Sequence, residues 1–246
     1  MAAAGSGAPA LIFRHLAVYP GSIDWVWRAV GPEAHRGWPR QMIWDLLDRT
    51  PPVAIAPISP ALLAETGVDA QARETIGHML GSYNSMNPVN LVLIGGARTM
   101  LDPAFKAGDQ FNVPAEVPDP PPPPTVASLP ADIQTLFRDL CRTIPDTGAE
   151  TTPTMYRHFA FWPDFMRAVG GRLLAQMAAL HQATLDFGKA AEPLARAMGA
   201  RAADPGLMPD VPDMALLLKT LDGFLYVIPP MIVVGKAIDD ALPVNE

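Results

Sequence analysis

Two tandem homologous helical halves, packed as a pseudo-twofold dimer within one all-α chain, are the architecture that three features of this sequence predict. The first is a repeated segment. Arg14-His15-Leu16-Ala17-Val18-Tyr19-Pro20 recurs as Arg157-His158-Phe159-Ala160-Phe161-Trp162-Pro163, at an offset of 143. The second is an echo at an offset of 141, in which Tyr83-Asn84-Ser85-Met86-Asn87-Pro88 matches Phe224 to Pro229 and Leu91-Val92-Leu93-Ile94 matches Ile232-Val233-Val234. The third is periodicity: apolar residues recur at helical spacing, and period-two alternation is nearly absent. Two echoes in the same order point to duplication, and two copies are too few for a solenoid. The organisation that follows is a first helical repeat over residues 8–117, a proline-rich linker over 118–130, and a second repeat over 131–246.

Taken in order, the elements support this division. Met1 to Pro9 reads as small and flexible, without a basic start before an apolar core, so it does not read as a signal peptide. Ile23, Val26, Trp27 and Val30 follow the i, i+3, i+4, i+7 template after Pro20-Gly21, with Ser22 in a capping position. Met42, Ile43, Leu46 and Leu47 predict a second helix, which Pro51-Pro52 stops. Leu91–Ile94 has strand propensity, but Pro88 at a helix N1 position and the residues from Ala97 to Leu101 favour a buried helix starting there. Gly95-Gly96 inside it reads as a packing notch.

Pro118-Asp119-Pro120 to Pro124 can hold neither helix nor central strand, and reads as a stiff extended connector. An SH3-type groove is the other reading of that segment. Beyond it, Ile133, Leu136, Phe137 and Leu140 predict a short helix. Phe165, Met166 and Val169 predict the next, capped by Asp164. Leu173, Leu174, Met177, Ala178, Leu180 and Leu185 predict a long one. Ile232–Val234 after Pro229-Pro230 repeats the buried-helix pattern of Leu91–Ile94.

Composition excludes several functions. A net charge of −7 with no basic cluster disfavours nucleic acid and anionic membrane surfaces as partners. No uninterrupted apolar run reaches the length of a spanning helix, about 18–20 residues. Cys141 is the lone cysteine, so no intramolecular disulfide or CxxC metal site is available, which fits a reducing, cytoplasmic setting. The sequence carries no GxSxG elbow, HExxH, Walker loop or GxGxxG after a strand. The histidines at 15, 35, 78, 158 and 181 are not spaced to share a metal, so no metal site is expected. His15 and His158 are the most suggestive pair, because they hold equivalent positions in the two copies. They read either as facing groups of one site or as a shared packing requirement.

Tyr156-Arg157-His158-Phe159-Ala160-Phe161-Trp162-Pro163 with Phe165 resembles the second-half motif of the group I 2-haloacid dehalogenases. Arg14, then Tyr19-Pro20, then Trp27 is similar to the first-half pattern, and Asn87-Pro88 to the internal asparagine region. The resemblance implies an all-α pseudo-dimer with a site between its halves. It also implies cofactor-free hydrolysis of small 2-halo acids, in which an aspartate activates the water that displaces halide from C2 with inversion. Trp27, Asn87 and Tyr156 are the substrate-binding residues it implies, and His158 joins them by its position in the repeat.

The sequence departs from the family at the base. Where the aspartate should precede the motif tyrosine stands Met155, whose thioether accepts no proton, and Thr152, Pro153 and Thr154 offer no acid. The nearest acids are Glu150 and Asp164, and the catalytic residue is left unassigned. The expected partner is a small-molecule ligand of the small carboxylic acid class, with homo-oligomer formation left open. The alternative is a non-catalytic small-molecule-binding or interaction protein on the same fold.

Overall fold

The computed structural model describes residues 11–35, 38–49, 52–101, 122–142, 152–201, 204, 206 and 211–243. Among them the chain forms ten α-helices and no strand. These are α1 (Leu11–Leu16), α2 (Ser22–His35), α3 (Trp38–Arg49), α4 (Pro60–Glu65), α5 (Ala70–Met100), α6 (Ala131–Leu140), α7 (Thr154–Phe159), α8 (Pro163–Ala175), α9 (Met177–Arg201) and α10 (Met214–Ala241). The protein is all-α, as the periodicity predicts. Part of the proline-rich bridge, 118–121, lies outside the described residues. Its end, 122–125, is neither helix nor strand and leads into a 3-10 turn at Val126–Ser128.

The chain divides into two compact units. Unit one holds Met1–Thr50, Ser85–Asp119 and Asp186–Pro229; unit two holds Pro51–Asn84, Pro120–Leu185 and Pro230–Glu246. Each unit draws segments from both sides of the proline-rich bridge, so the units do not follow the sequential halves 8–117 and 131–246. The long helices α5, α9 and α10 supply residues to both units.

Unit one is built on close helix packing. A Cβ added to Gly95 would collide with the Cβ of Ala195, and one added to Gly96 would lie 2.8 Å from Met198 Cγ. Gly199 meets Thr99 in the same crossing. The two glycines of α5 are therefore a packing notch against α9, and their role is steric. Ile12, Leu16, Val30, Leu93, Ile94 and Met198 fill the core of this unit. Among the described residues Glu33 is the one buried carboxylate, and it pairs with Arg201 at 3.1 Å.

In unit two, α6 and α8 pack closely where Gly170 accommodates Leu136. Arg167 joins them by engaging Asp132 of α6 and Asp164 of its own helix. The backbone N–H of Ile58 donates to Ala241 C=O at 2.9 Å, fastening the segment before α4 to the end of α10.

Four local expectations are corrected. Ser22 does not cap α2: its buried hydroxyl turns back and donates to the carbonyls of Leu16 and Tyr19 at 2.7 and 2.8 Å. Gly21, at φ 76°, makes the turn that aims it there. Asp164 is not the N-cap of α8 either. Trp162 holds that position and Pro163 opens the helix, which leaves Asp164 in the first turn facing Arg167. Leu173 and Leu174 belong to α8, because the chain breaks at Gln176 before α9 begins.

The fourth correction concerns the prolines. Pro88 and Pro229-Pro230 start nothing; they lie inside α5 and α10. A proline inside a helix forfeits one backbone bond and costs about 3 kcal/mol. Here residues 89–97 and 231–235 are buried, and that burial holds each helix continuous. α10 is long and apolar enough to cross a membrane, but 56% of its most apolar window is buried in the protein, as in a core helix.

Candidate functional site

The six residues of α7 organise the most chemically distinctive region. Pro153 precedes the helix and its carbonyl accepts from the backbone N–H of Tyr156 at 3.1 Å, while Ala160 ends it and the Phe161-Trp162 turn leads to α8. Four of the six side chains are buried: Met155, Tyr156, His158 and Phe159. Spacing sorts them into two faces, since residues three apart on a helix share a side.

Tyr156 and Phe159 face the core. Tyr156 stacks on Phe137 with centroids 6.2 Å apart, and Phe159 meets Phe165 edge-on at 5.9 Å. Burial pushes the Tyr156 phenol far above its usual range, and the neighbouring Cys141 thiol adds to the effect. Burial alone raises Cys141 to about 11. Both groups are therefore neutral and unreactive at physiological pH.

Met155 and His158 form the other face. Met155 is 1% exposed and borders Gly235 of α10: a Cβ there would lie 3.8 Å from its sulfur and would collide with the Asn84 side-chain oxygen. The backbone of Gly235 is thus the meeting point of Met155 and Asn84. The Asn84 Nδ2 donates to Gly235 C=O over a long 3.4 Å, and the same side chain favours the ionised form of Asp239. Desolvation raises the Asp239 pKa, and the adjacent Asp240 charge adds to this. Lys236, paired with Asp240 at 3.0 Å, and Asn84 work in the opposite direction.

His158 is 3% exposed, and its Nδ1 lies 2.6 Å from the Tyr83 hydroxyl of α5. Its ring also stacks on Phe161 with centroids 6.1 Å apart. The preceding Arg157 turns away: its Nε donates to Pro124 C=O at 2.9 Å, and Nη2 reaches Pro123 C=O at 3.4 Å. The repeated motif's arginine therefore anchors the end of the proline-rich bridge.

The remaining sequence-predicted residues lie in unit one. Trp27 on α2 is half-buried, edge-on to Phe13 at 6.1 Å, with Gly31 lying against its indole face. Asn87 is half-buried in α5 and caps nothing, because the helix runs through Pro88. One turn on, Asn90 is 4% exposed and its Oδ1 has no hydrogen-bond partner. His15, the counterpart of His158, is exposed and meets Phe224 edge-on at 5.4 Å.

Of the predicted residues, Tyr156 and His158 share α7 but not a face, and Trp27 and Asn87 belong to the other unit. Sequence reasoning missed Tyr83, Asn84 and Asn90 as functional groups. A signal existed for the first two: in the second copy their positions hold Phe224 and Leu225, so the polarity is not a requirement of the shared pattern. Among the described residues no group of His, Cys, Asp and Glu could hold a metal ion.

Comparison with solved structures places this architecture. A D-2-haloacid dehalogenase in complex with L-LA superposes with a TM-score of 0.75 at 18% identity, covering 98% of this chain and 89% of that one. The chain has the fold of the D-2-haloacid dehalogenases. A mutant of such an enzyme in complex with D-2-CPA gives a TM-score of 0.74 at 18% identity, and a further mutant gives 0.75 at 19%, with the same coverage. No protein-family profile matches the sequence, and no curated protein matches it. At such identity the likeness carries the backbone, while the side chains described above belong to this chain.

Proposed function

We propose that this protein is a 2-haloacid dehalogenase-like hydrolase, which takes small 2-halo carboxylic acids and replaces the halogen at C2 with a hydroxyl from water. No cofactor enters the reaction. The observation that carries the reading is the fold shared with D-2-haloacid dehalogenases over 98% of the chain. Two of the solved structures it resembles are complexes with L-LA and D-2-CPA. We assign the α7 face that carries Met155 and His158 to the site. Tyr156, packed in the core on Phe137, shapes α7 from behind.

The duplicated origin of the chain forms part of this reading. His15 meets Phe224 and His158 meets Tyr83, two contacts whose partners are related by the repeat offsets of 143 and 141.

Residue 155 does not supply the base. A general base contributes about 10²–10⁴-fold, so turnover lacking a dedicated carboxylate is slow. Halide release from both enantiomers of 2-chloropropionate is the test, alongside thermal stabilisation by lactate, the product of that hydrolysis. Slow chloride release from the wild type and faster release from Met155→Asp are expected. Absence of both chloride release and lactate stabilisation, in the wild type and in Met155→Asp alike, would overturn the reading.

A further inference from the structure

Four observations converge on the pair formed by Tyr83 and His158. The hydrogen bond between them is short, 2.6 Å, and joins residues 75 apart in sequence. His158 is nearly fully buried, while Tyr83 at its other end is half-buried. His158 lies one helical turn from Met155, on the same face of the same helix. Finally, the equivalent histidine in the other unit meets Phe224. An aromatic ring without a hydroxyl fills that position, so packing alone does not call for the tyrosine.

We propose that Tyr83 and His158 are the proton-accepting relay of this protein, taking the role that the side chain at position 155 cannot perform. This rests on the hydrolytic reading above and names the residues that carry it out. With Nδ1 unprotonated, the Tyr83 O–H donates to it. As the attacking water forms its C2–O bond, one water O–H bond breaks and that proton passes to the Tyr83 oxygen. The proton already on Tyr83 passes to His158 Nδ1. The C2–halogen bond breaks and the halide leaves with the bonding pair. The products are the 2-hydroxy acid, halide and an imidazolium, which returns its proton to solvent. Tyr83 is the catalytic residue, because it touches the water. His158 acts through it.

An unprotonated imidazole accepts the relayed proton and, once charged, returns it. The titratable and charged side chains recorded in contact on this side of the unit are Tyr83 from α5, Arg157 on α7 itself, and Lys236, Asp239 and Asp240 on α10. Arg157 is committed to the proline carbonyls and Lys236 to Asp240.

The test compares Tyr83→Phe, His158→Gln and His15→Asn in chloride release from 2-chloropropionate, with thermal melts to establish folding. Tyr83→Phe keeps the ring that position 224 already tolerates, so it decides the matter even if His158→Gln fails to fold. We expect Tyr83→Phe to lower kcat about tenfold or more with little change in KM, and His15→Asn to leave turnover unchanged. The wild-type pH–rate profile should rise through an imidazole-range limb that His158→Gln abolishes. Unchanged kcat in Tyr83→Phe overturns the relay. So does a wild type that releases no chloride while Met155→Asp does, an outcome that leaves the hydrolytic reading intact. If neither protein releases chloride and lactate does not bind, both readings fall.

Discussion

The two histidines of the repeated motif have different neighbours. In unit one His15 is exposed and meets the edge of Phe224, a contact without a hydrogen bond between the rings. In unit two His158 is buried and shares a short hydrogen bond with Tyr83. At the next position of the echo the difference runs the same way, Asn84 in unit two corresponding to Leu225 in unit one, whereas Met155 and its counterpart Ile12 are both apolar and buried. One unit packs an apolar version of the pattern and the other a polar one. Polar groups buried in a helical core are costly unless satisfied, so Asn84 carries a cost in unit two that Leu225 does not in unit one.

The sharpest way to break the comparison is to place one acid at both matched positions. Ile12→Asp puts a carboxylate in an apolar core, and it should cost more than about 4 kcal/mol or abolish folding. Met155→Asp puts the same group beside Asn84, whose long 3.4 Å bond to Gly235 C=O is weak enough to exchange for it. This variant should be clearly less destabilised in denaturant melts. It alone should speed chloride release, by about tenfold or more. Equal destabilisation of the two would show that Asn84 does not make position 155 special.

A second contrast lies in the glycines. Gly95 in unit one and Gly235 in unit two both lie where an added Cβ would collide, but with different neighbours. The obstacle at Gly95 is the Cβ of Ala195 on a packed helix, which cannot move without moving the backbone. The obstacle at Gly235 is the Asn84 side-chain oxygen, which can rotate away. Gly95→Ala should therefore cost about 1–3 kcal/mol. Gly235→Ala should cost less, since the lost hydrogen bond is partly offset by a helix-propensity gain of up to about 1 kcal/mol. Thermal melts showing Gly235→Ala as the more damaging change would mean that Asn84 is held as rigidly as backbone.

How far these contrasts could be read without coordinates depends on the range of the interaction. The helices were legible because amphipathic spacing is local: Ile23, Val26 and Val30 announce α2, and Ile133, Phe137 and Leu140 announce α6. Helix ends were misread where two local rules compete. Pro163 takes the first helical position and pushes Asp164 out of the capping role, and Ser22 finds carbonyls behind it rather than amides ahead. The prolines at 88 and 229–230 were read as helix starts because local propensity forbids them inside a helix, whereas burial of the flanking residues overrides propensity.

The site was legible in outline. His158 and Met155 stood out from the motif itself, but Tyr83 and Asn84 lie far from them in sequence and only folding supplies the partners. The isolated acceptor of Asn90 could not be foreseen at all, since satisfaction is a property of surroundings.

The smallest expected effects come from two aspartates of unit two whose pKa values move in opposite directions. At Asp132 the hydrogen bond from Arg167 holds the carboxyl below its ordinary 3.8. Its stabilising contribution is thus present above that ordinary value and is lost as pH falls through the lower, folded one. At Asp239 desolvation raises the pKa, with Asp240 adding to it, so the ionised form is disfavoured in the folded protein. Its relative stabilisation is complete below the ordinary 3.8 and is lost as pH rises through the higher, folded pKa. Asp132→Asn should therefore lower Tm slightly at neutral pH and leave it unchanged in acid. Asp239→Asn keeps an oxygen for Asn84 and removes the charge, so it should leave Tm unchanged or raise it at neutral pH, with no gain in acid. Arg167 and both aspartates are open to solvent, so salt should shrink both differences. Melts of the two variants at neutral and acid pH decide the matter: a neutral-pH loss at Asp239 matching that at Asp132 would show that Asn84 binds the Asp239 carboxylate strongly enough to outweigh its desolvation.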